Sequence, residues 1–459
     1  MSSSSSESQT IGVRRVLAQG ATAAETSTGL AVIAIGGATA LLYEFAMSVG
    51  KWVPFFLSYK PLIDLTWRWE FIRIVHQSVN IQSILAMFVV VLNGIVVLFS
   101  RQRPRHSGLV LMLLGTATVS VIVTPTSWGL NELLRLYAGM SFFFTAGLVL
   151  CDKRRFDRFV HCFLWALMVP VILAIFQAIG IVPYEYWDWT DMGLVGRASG
   201  SYQHPLDLAF FLVYAIPLAL YRMEDPDEKV RNRAFLVTFL GLAVLALVFT
   251  ILRMGWFAVC VQIGLWFMFK KKYKLIAASG VVLLLLLLAF SGWVETIFEP
   301  QNFAHEDQSL ISPTALRGRG ANYILFVNSY LDAGPLHWLI GRGGSVAEGY
   351  IQGIGEYSSN EPHDDFIRLL HAYGLLGLGL YFVILWKCFR DSRALQKSRD
   401  HFSREVGNIF IVALAAILLL SITAEPMRFP TGVWYLFALG SVASMLRHRV
   451  GVHGAPRTV

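Results

Sequence analysis

One apolar stretch limits what this chain can fold into. The sequence LIAASGVVLLLLLLAFSGWV, residues 275–294, contains no charged side chain. A helix of this length rises about 1.5 Å per residue and therefore spans a hydrocarbon layer of roughly 30 Å. A lone strand would leave its backbone N–H and C=O groups without partners in lipid. The stretch therefore predicts a membrane-crossing helix.

Comparable segments recur along the whole chain. Hydrophobic residues make up 55% and charged residues 15% of the 459 positions, which is more apolar surface than one soluble core can bury. The sequence lacks the alternating segments of about ten residues that are typical of a membrane β-barrel. We therefore predict an all-α polytopic membrane protein with about twelve transmembrane helices. The predicted spans are residues 29–49, 81–100, 108–124, 134–151, 159–182, 205–221, 234–252, 254–269, 275–294, 365–386, 406–424 and 432–446.

The distribution of lysine and arginine predicts the orientation. Most of the 38 basic residues lie in the two tails and in every second connection, including RQRPR at 101–105 and KKKYK at 270–274. Basic residues accumulate in cytoplasmic loops, so both termini are predicted to lie inside. This topology accounts for the net charge of +8, and nucleic acid is not an expected partner.

The same pattern divides the chain into three regions. Residues 1–28 form a Ser-rich cytoplasmic tail, residues 29–446 form the transmembrane domain, and residues 447–459 form a second cytoplasmic tail. The transmembrane domain includes one long outer loop at 295–364. The four cysteines lie in or at the ends of predicted spans, with spacing that suits neither a disulfide nor a metal. No metal site is predicted.

Basic residues on the outer side are the informative ones, because the orienting signal disfavours them there. They are Lys51, Lys60, Arg68, Arg73, Arg135, Arg197, Arg253, Arg317, Arg319, Arg342, Arg368 and Arg428. A guanidinium group binds phosphate oxygens through two parallel hydrogen bonds, whereas a lysine ammonium acts as a point charge. An arginine-rich outer face therefore predicts a phosphate ligand. The alternative is interfacial anchoring, in which these side chains reach out of the membrane to water.

Arg253 lies between two predicted spans that leave almost no room for a loop. A cation on a lipid-facing side costs roughly 2.5 to 3.5 kcal/mol at full membrane depth. We therefore expect Arg253 to face a cavity and an anion. The alternative is that it only marks the turn of a helix hairpin.

Two outer loops carry further arginines. In ALRGRGANYILFVNSYL, Arg317 and Arg319 precede a predicted interfacial helix at 320–332. Arg342 lies in LIGRGG, which is either a tight turn or a turn whose backbone N–H groups approach an anion. Arg197 follows the aromatic segment PYEYWDWTD, which either forms an interfacial belt or stacks on sugar rings.

The segment NEPHDDFIRLL places titratable groups at the start of the span at 365–386. Ser359 or Asn360 is the predicted N-cap of this helix, with Pro362 in its first turn. Capping of this kind leaves the following histidine and aspartates just inside the helix.

Helix capping explains the acids of this segment but not its histidine. Asp364 and Asp365 complement the positive end of the helix dipole, and Asp364 is spaced to pair with Arg368. A protonated imidazole is disfavoured at that position. A neutral His363 keeps an acceptor nitrogen, as a general base requires. The alternative is a hydrogen-bonded structural histidine.

Together these motifs resemble the O-antigen ligase and polymerase superfamily. The similarity rests on the order of SGSYQHP, a hairpin LR, an outer-loop RGR, LIGRGG and PHDDFIRLLHAYGLLGLGLYF, over roughly residues 195–385. Its most specific part is the pattern that begins at His363. Asp364 and Leu252 stand where that family commonly has Asn and Ser.

The resemblance implies a GT-C type glycosyltransferase of the bacterial inner membrane, with its active site and long loop facing the periplasm. It would move a glycan from an undecaprenyl-pyrophosphate carrier to a hydroxyl of lipid A-core or of a growing glycan, with inversion and without metal or cofactor. Fixed guanidinium groups suit the departing pyrophosphate. We assign Arg197, Arg253, Arg317 and Arg319 to the phosphates, with Arg342 as a weaker candidate, and His363 to the acceptor.

Two alternatives use the same membrane frame. A polyprenol-sugar transferase could use Asp64 and Glu70 of the first outer loop, although a surface pair with the adjacent Arg68 is the simpler interpretation. A transporter or flippase of lipid-linked glycans would also have many spans and a basic cavity. Transporters usually show internal repeats and charged midplane helices, neither of which the sequence shows.

Overall fold

The computed structural model describes residues 42–68, 70–74, 77–190, 193–226, 228–277, 280, 319–351, 355–359 and 361–453. The chain separates into two compact units at residues 49 and 50. In the first unit, residues 42–47 are helical. All the features below belong to the second unit. Arg317 and nearly all of the apolar stretch at 275–294 lie outside the described residues.

Helices dominate the second unit. They are α1 (Val49–Ile63), α2 (Ile81–Phe99), α3 (Ser107–Val123), α4 (Ser127–Ser141), α5 (Ala146–Leu150), α6 (Lys153–Ala178), α7 (Pro205–Met223), α8 (Val230–Phe249), α9 (Arg253–Phe269), α10 (Arg319–Leu331), α11 (Pro335–Ile340), α12 (Asp365–Leu395), α13 (His401–Ser421) and α14 (Pro430–His453). Short 3-10 helices occur at Asp64–Arg68, Phe142–Phe144 and Pro426–Arg428. The helix predicted at 320–332 is confirmed as α10, and its interfacial position stays a prediction.

Most of the predicted spans coincide with these helices. Seven helical stretches of the described residues are long and apolar enough to cross a membrane, and α3 and α9 are shorter apolar helices. The protein is therefore a mostly helical, multi-pass membrane protein. The predicted span at 29–49 is described only from residue 42, and the span at 275–294 lies almost wholly outside the described residues. The total of twelve remains a prediction.

Three β-hairpins depart from the all-α expectation. They are β1 (Glu70–Ile74) with β2 (Gln77–Asn80), β3 (Tyr186–Thr190) with β4 (Gly193–Arg197), and β5 (Ala347–Ile351) with β6 (Gly355–Ser359). Each pair is antiparallel and lies in a connection between helices. Strand pairing satisfies the backbone groups of these connections, which the hydropathy pattern did not indicate.

Contacts between the connections distinguish two ends of the bundle, and the end that carries His363 is called the site end. The site end carries the three hairpins and the α10–α11 segment, and its connections contact one another, as between Tyr202 and Pro61 (3.0 Å). The opposite end is joined by ion pairs such as Lys153–Asp225 (2.8 Å) and Lys270–Glu405 (2.5 Å). Positively charged connections predicted to be cytoplasmic lie at this opposite end.

The core lies where α7, α13 and α14 meet. Tyr435 of α14 is buried and stacks near Phe163 and Tyr214, with ring centroids 4.9 and 5.3 Å away. Its hydroxyl donates to the Leu57 carbonyl oxygen at 2.7 Å. Interhelical hydrogen bonds of this kind contribute about 0.6 to 2 kcal/mol each inside a membrane protein. The aromatic cluster fixes the frame that holds the helix ends.

The helix α12 doubles back at Gly374, which has a left-handed φ of 67°. Phe366 and Phe382 stack with ring centroids 5.4 Å apart. Sixteen residues of straight helix would separate their backbones by roughly 24 Å. Residues 365–373 therefore form a short helix folded against the longer part of α12. The predicted span at 365–386 lies within α12, and the bend at Gly374 was not predicted.

Candidate functional site

His363 lies immediately before the short first part of α12. The N-cap of this helix is Asp364, whose Oδ1 accepts a hydrogen bond from the Ile367 N–H at 2.8 Å. The predicted caps, Ser359 and Asn360, were wrong because the chain turns sharply at His363, whose φ is 58°. A non-glycine residue with positive φ is strained and is held there by its surroundings.

The connection between α13 and α14 holds the His363 segment in place. The buried carboxylate of Glu425 accepts a hydrogen bond from the His363 backbone N–H at 2.6 Å. Two residues further, the buried Asp365 accepts from the Ser421 hydroxyl at 2.9 Å and from the Met427 N–H at 3.0 Å. These contacts join both sides of the turn to the same neighbouring segment.

Two arginines add to the contacts of Glu425 and Asp365, and these four residues are called the clamp around His363. Arg428 is ion-paired with Glu361 (2.5 Å) and lies 3.8 Å from the Glu425 carboxylate. Arg368 is ion-paired with Glu132 of α4 and lies 4.0 Å from Glu425. The predicted pairing of Arg368 with Asp364 was therefore wrong, because the Asp364 carboxylate caps the helix. Arg368 is a structural cation held between two acids.

The ring of His363 is half-buried, and within the described residues neither of its nitrogens has a hydrogen-bond partner. Burial lowers the pKa of His363 below the ordinary histidine value, Arg319 and Arg428 lower it further, and Glu425 and Glu361 act in the opposite direction. The imidazole is therefore neutral at pH 7. A neutral ring keeps one nitrogen as an acceptor.

A second histidine, His204, faces the same group of charges. It is the N-cap of α7, and its Nδ1 accepts a hydrogen bond from the Leu206 N–H at 3.0 Å. The pKa of His204 is lowered to about 3 by burial and by the charges of Arg197, Arg428 and His363. The ring is thus neutral and must carry its hydrogen on Nε2, which makes Nε2 a donor.

Arg197 and Arg253 both lie at the α8–α9 turn. Arg197 ends strand β4, and its Nε donates to the Thr250 carbonyl oxygen at 2.8 Å. Its guanidinium lies 5.7 Å from the Tyr186 ring centroid on the paired strand, and Tyr186 contacts His204 edge to face at 4.4 Å. Arg253 is the first residue of α9, three positions after Thr250. The predicted short turn before Arg253 is confirmed.

Arg319 reaches the site from α10. Its charge acts on His363, and together with Asp364 and Glu425 it acts on Tyr323, whose pKa is raised mainly by burial. The Tyr323 hydroxyl donates to the Ile422 carbonyl oxygen at 3.4 Å, which ties α10 to the end of α13. Of the described members of the predicted site, Arg319 thus acts on His363. Arg197 acts on His204 and is bonded to Thr250, three positions before Arg253.

Arg342 has a different environment from the other predicted residues. Its Nη1 donates to the Ser329 hydroxyl at 2.5 Å and to the Ser329 carbonyl oxygen at 3.2 Å. The neighbouring Ser329 hydroxyl also contacts Nε2 of the buried His371 at 3.2 Å. This places Arg342 at the bend of α12, beside His371 instead of beside His363.

The glycine-rich turn around Arg342 binds the broken helix. The Arg342 N–H donates to the His371 carbonyl oxygen at 2.8 Å, and the Gly343 N–H donates to the Ala372 carbonyl oxygen at 2.9 Å. The bend at Gly374 frees these carbonyl groups from their helical partners. The N–H groups of Arg342 and Gly343, which were possible donors to an anion, therefore donate to carbonyl oxygens of α12.

One acid of the first outer loop lies in the interior of the protein. Asp64 is buried and ion-paired with Lys60 of α1, and Lys60 also lies 4.9 Å from the Trp434 ring centroid. The side chains of Glu70 and Arg68 are outside the described residues. The Lys60–Asp64 pair fixes the end of α1 against α14, and the predicted pairing with Arg68 stays a prediction.

Sequence reasoning missed Glu425, His204 and the role of Arg428. Glu425 and Arg428 lie in TAEPMRFP, a short connection between two spans, and charged residues in so short a connection were the available signal. Arg428 was recognised as misplaced for the topology but not linked to His363. His204 lies in SGSYQHP, where the following proline marks a helix start.

One comparison with known proteins gives a family match. Residues 238–382 match the family model described as O-antigen ligase. No curated protein matches the chain. The matched residues run from α8 into α12 and contain Arg253, Arg319, Arg342 and His363, whereas Arg197 precedes them.

Proposed function

Because this chain belongs to the O-antigen ligase and polymerase family, we propose that it is an inner-membrane glycosyltransferase. It moves a glycan from an undecaprenyl-pyrophosphate carrier to an acceptor hydroxyl at the periplasmic face. The acceptor is lipid A-core or a growing glycan. The reaction is inverting and needs no metal ion.

The observation that carries this proposal is the state of His363. Its ring is neutral, half-buried and unengaged within the described residues; Arg319 and Arg428 lower its pKa, and Arg197 acts on His204. A general base needs a free acceptor nitrogen at the operating pH. A purely structural histidine would be expected to use its ring nitrogens in hydrogen bonds.

The arginines supply the charge that a pyrophosphate leaving group requires. Arg197, Arg253 and Arg319 hold the pyrophosphate, and Arg317 is assigned to the same role from its place two residues before Arg319. We leave Arg342 out of this set, because its guanidinium is bonded to Ser329 at the bend of α12. The His204 Nε2–H is a further donor, suited to a phosphate or sugar oxygen.

The transfer step follows from these roles. The acceptor oxygen attacks the anomeric carbon of the donor sugar, and its proton passes to the free nitrogen of His363. The bond between the anomeric carbon and the pyrophosphate oxygen breaks, and its electron pair leaves with undecaprenyl pyrophosphate. Fixed guanidinium groups stabilise that developing charge without reorganisation. His363 then returns its proton to solvent.

A reconstituted assay tests the function directly. Purified protein in liposomes is given a defined lipid-linked glycan with either lipid A-core or a second copy of the lipid-linked glycan as acceptor, and products are separated by size. A single glycan added to lipid A-core identifies ligation, and a ladder of repeats identifies polymerisation. No covalent product with either acceptor would contradict the proposal.

The same assay tests the absence of a metal requirement. We expect EDTA to leave the transfer rate unchanged. Strong inhibition by EDTA that a divalent cation reverses would overturn the metal-independent mechanism and return attention to the acids of the first outer loop.

A further inference from the structure

A second cluster of cations lies at the opposite end of the bundle from His363. A cavity of about 520 Å³ there is lined by Arg390, Arg393, Ala394, Lys397, Ser398 and Arg447. Arg390 and Arg393 belong to the end of α12, Lys397 follows that helix by two residues, and Arg447 belongs to α14. The cluster is therefore built by two helices that meet at the end of the bundle.

The cations of this cavity have no acidic partner in the described part of the chain. Arg393 donates to the Gln396 amide oxygen at 2.7 Å, which leaves its charge uncompensated. The neighbouring carboxylates are used elsewhere: Asp391 binds Arg105 (3.2 Å) and His106 (3.0 Å). Acids further along this end are paired with other cations, as in Glu405–Lys270, Glu224–Lys272, Asp225–Lys153 and Glu228–Arg222.

The face of α12 that carries these cations changes from apolar to basic along its length. Trp386 is 57% exposed and stacks on Phe389 with ring centroids 5.6 Å apart. Arg390 and Arg393 follow Trp386 at intervals of four and three residues, so they lie on one helical stripe, and Lys397 comes two residues after the helix ends. Aromatic side chains followed by cations at the end of a membrane-crossing helix match the chemistry of a lipid, with acyl chains beside the rings and a phosphate beside the guanidinium groups.

We propose that this cavity binds the headgroup of an anionic phospholipid, with its phosphate held by Arg390, Arg393 and Arg447. Guanidinium groups from two helices then share one phosphate, which joins the ends of α12 and α14. The site lies at the opposite end of the bundle from the proposed catalytic histidine, and it stands whether or not the transferase function does.

Native mass spectrometry of the full-length protein tests the site with phosphatidylglycerol and phosphatidylcholine as probes. The test variant is the triple substitution Arg390→Gln, Arg393→Gln and Arg447→Gln. The control is Arg154→Gln, Arg158→Gln and Arg231→Gln, which removes the same charge from exposed residues at the same end but outside the cavity. We expect wild type to retain phosphatidylglycerol preferentially. The test variant should lose roughly tenfold or more of this affinity, and the control less than about twofold.

Three results would overturn the proposal. They are equal retention of both lipids by wild type, equal losses in the two triple variants, and displacement of phosphatidylglycerol by inorganic phosphate at similar concentration, which would indicate a free phosphate site. If the triple variant does not fold, Arg390→Gln and Arg447→Gln are measured singly. Each should then weaken phosphatidylglycerol binding roughly fivefold, and no loss in either would reject the site.

Discussion

The carboxylate of Glu425 accepts a hydrogen bond from the His363 backbone N–H at 2.6 Å. Both residues have positive φ, 49° for Glu425 and 58° for His363, so two strained turns from distant parts of the chain hold each other. Glu425 is also the acid beside His363 that Arg368 and Arg428 approach. Its charge therefore affects both the position of the imidazole and its protonation.

Opposite pH shifts are expected from Glu425→Gln and Arg428→Gln. The Glu425 charge favours imidazolium and raises the pKa of His363, whereas Arg428 lowers it. Loss of the negative charge in Glu425→Gln should lower the pKa, so the acid-side limb of the kcat/KM profile moves to lower pH. Loss of the positive charge in Arg428→Gln should move that limb to higher pH.

The Glu425→Gln variant loses the negative charge but keeps an acceptor oxygen for the His363 N–H. It therefore tests the charge while the backbone hydrogen bond is kept. Glu425→Ala removes both and should also lower kcat. Limbs that shift in the same direction in the Glu425→Gln and Arg428→Gln variants, or an unchanged profile in both, would show that neither group acts on the titrating residue.

The bend of α12 gives a stability prediction. A Cβ at Gly341 would lie 2.3 Å from the Ala372 carbonyl oxygen, whereas a Cβ at Gly334 meets nothing within 4 Å. Both glycines have positive φ, 79° and 84°, so alanine carries a similar backbone cost at each, about 1 to 2 kcal/mol. Gly341→Ala should lower the thermal unfolding temperature in detergent clearly more than Gly334→Ala. Equal unfolding temperatures would mean that the turn does not pack on α12 as described.

Arg253→Lys tests whether the turn before α9 holds a phosphate. Lysine keeps the charge but loses the planar fork, so we expect about a 10- to 100-fold lower transfer rate with normal insertion and purification. Arg158→Lys, at the opposite end, is the matched control and should behave as wild type. Full activity of Arg253→Lys would make Arg253 an interfacial anchor.

Topology is testable by cysteine accessibility in a variant without the four native cysteines. Leu336→Cys in α11 and Arg399→Cys before α13 are suitable positions, because both side chains are exposed. The Leu336→Cys variant should be labelled by an impermeant reagent in intact cells, and the Arg399→Cys variant only after the membrane is opened. The reverse pattern would place His363 on the cytoplasmic side and remove the proposed reaction from the periplasm.

The membrane spans could be predicted from the sequence because each depends on a local property, the length of an apolar run. The family, and His363 as a candidate site residue, could also be proposed from the sequence, because the motif that begins at His363 is short and contiguous. The bend of α12 could not be predicted from the sequence. HAYGLLGLGLYF has the pattern of a continuous helix, and at the bend the freed carbonyl groups accept from the N–H groups of Arg342 and Gly343, which are distant in sequence.

The clamp around His363 could not be predicted for a similar reason. Glu425 follows His363 by 62 positions, and their hydrogen bond depends on how α12, α13 and α14 pack. The Arg368–Glu132 pair joins residues even further apart. Local spacing instead suggested Asp364 as the partner of Arg368. The Asp364 carboxylate accepts from the Ile367 N–H because the N–H groups at a helix N-terminus need acceptors.

The single-turnover transfer rate of His363→Ala tests the central claim most directly. With a defined lipid-linked glycan in liposomes, loss of a general base should lower this rate by roughly 100- to 10,000-fold. Binding of the lipid-linked donor should change less than about twofold, because its pyrophosphate is assigned to arginines. A transfer rate within a few-fold of wild type, or a loss of donor binding that accounts for the whole defect, would contradict the role of His363 as the base.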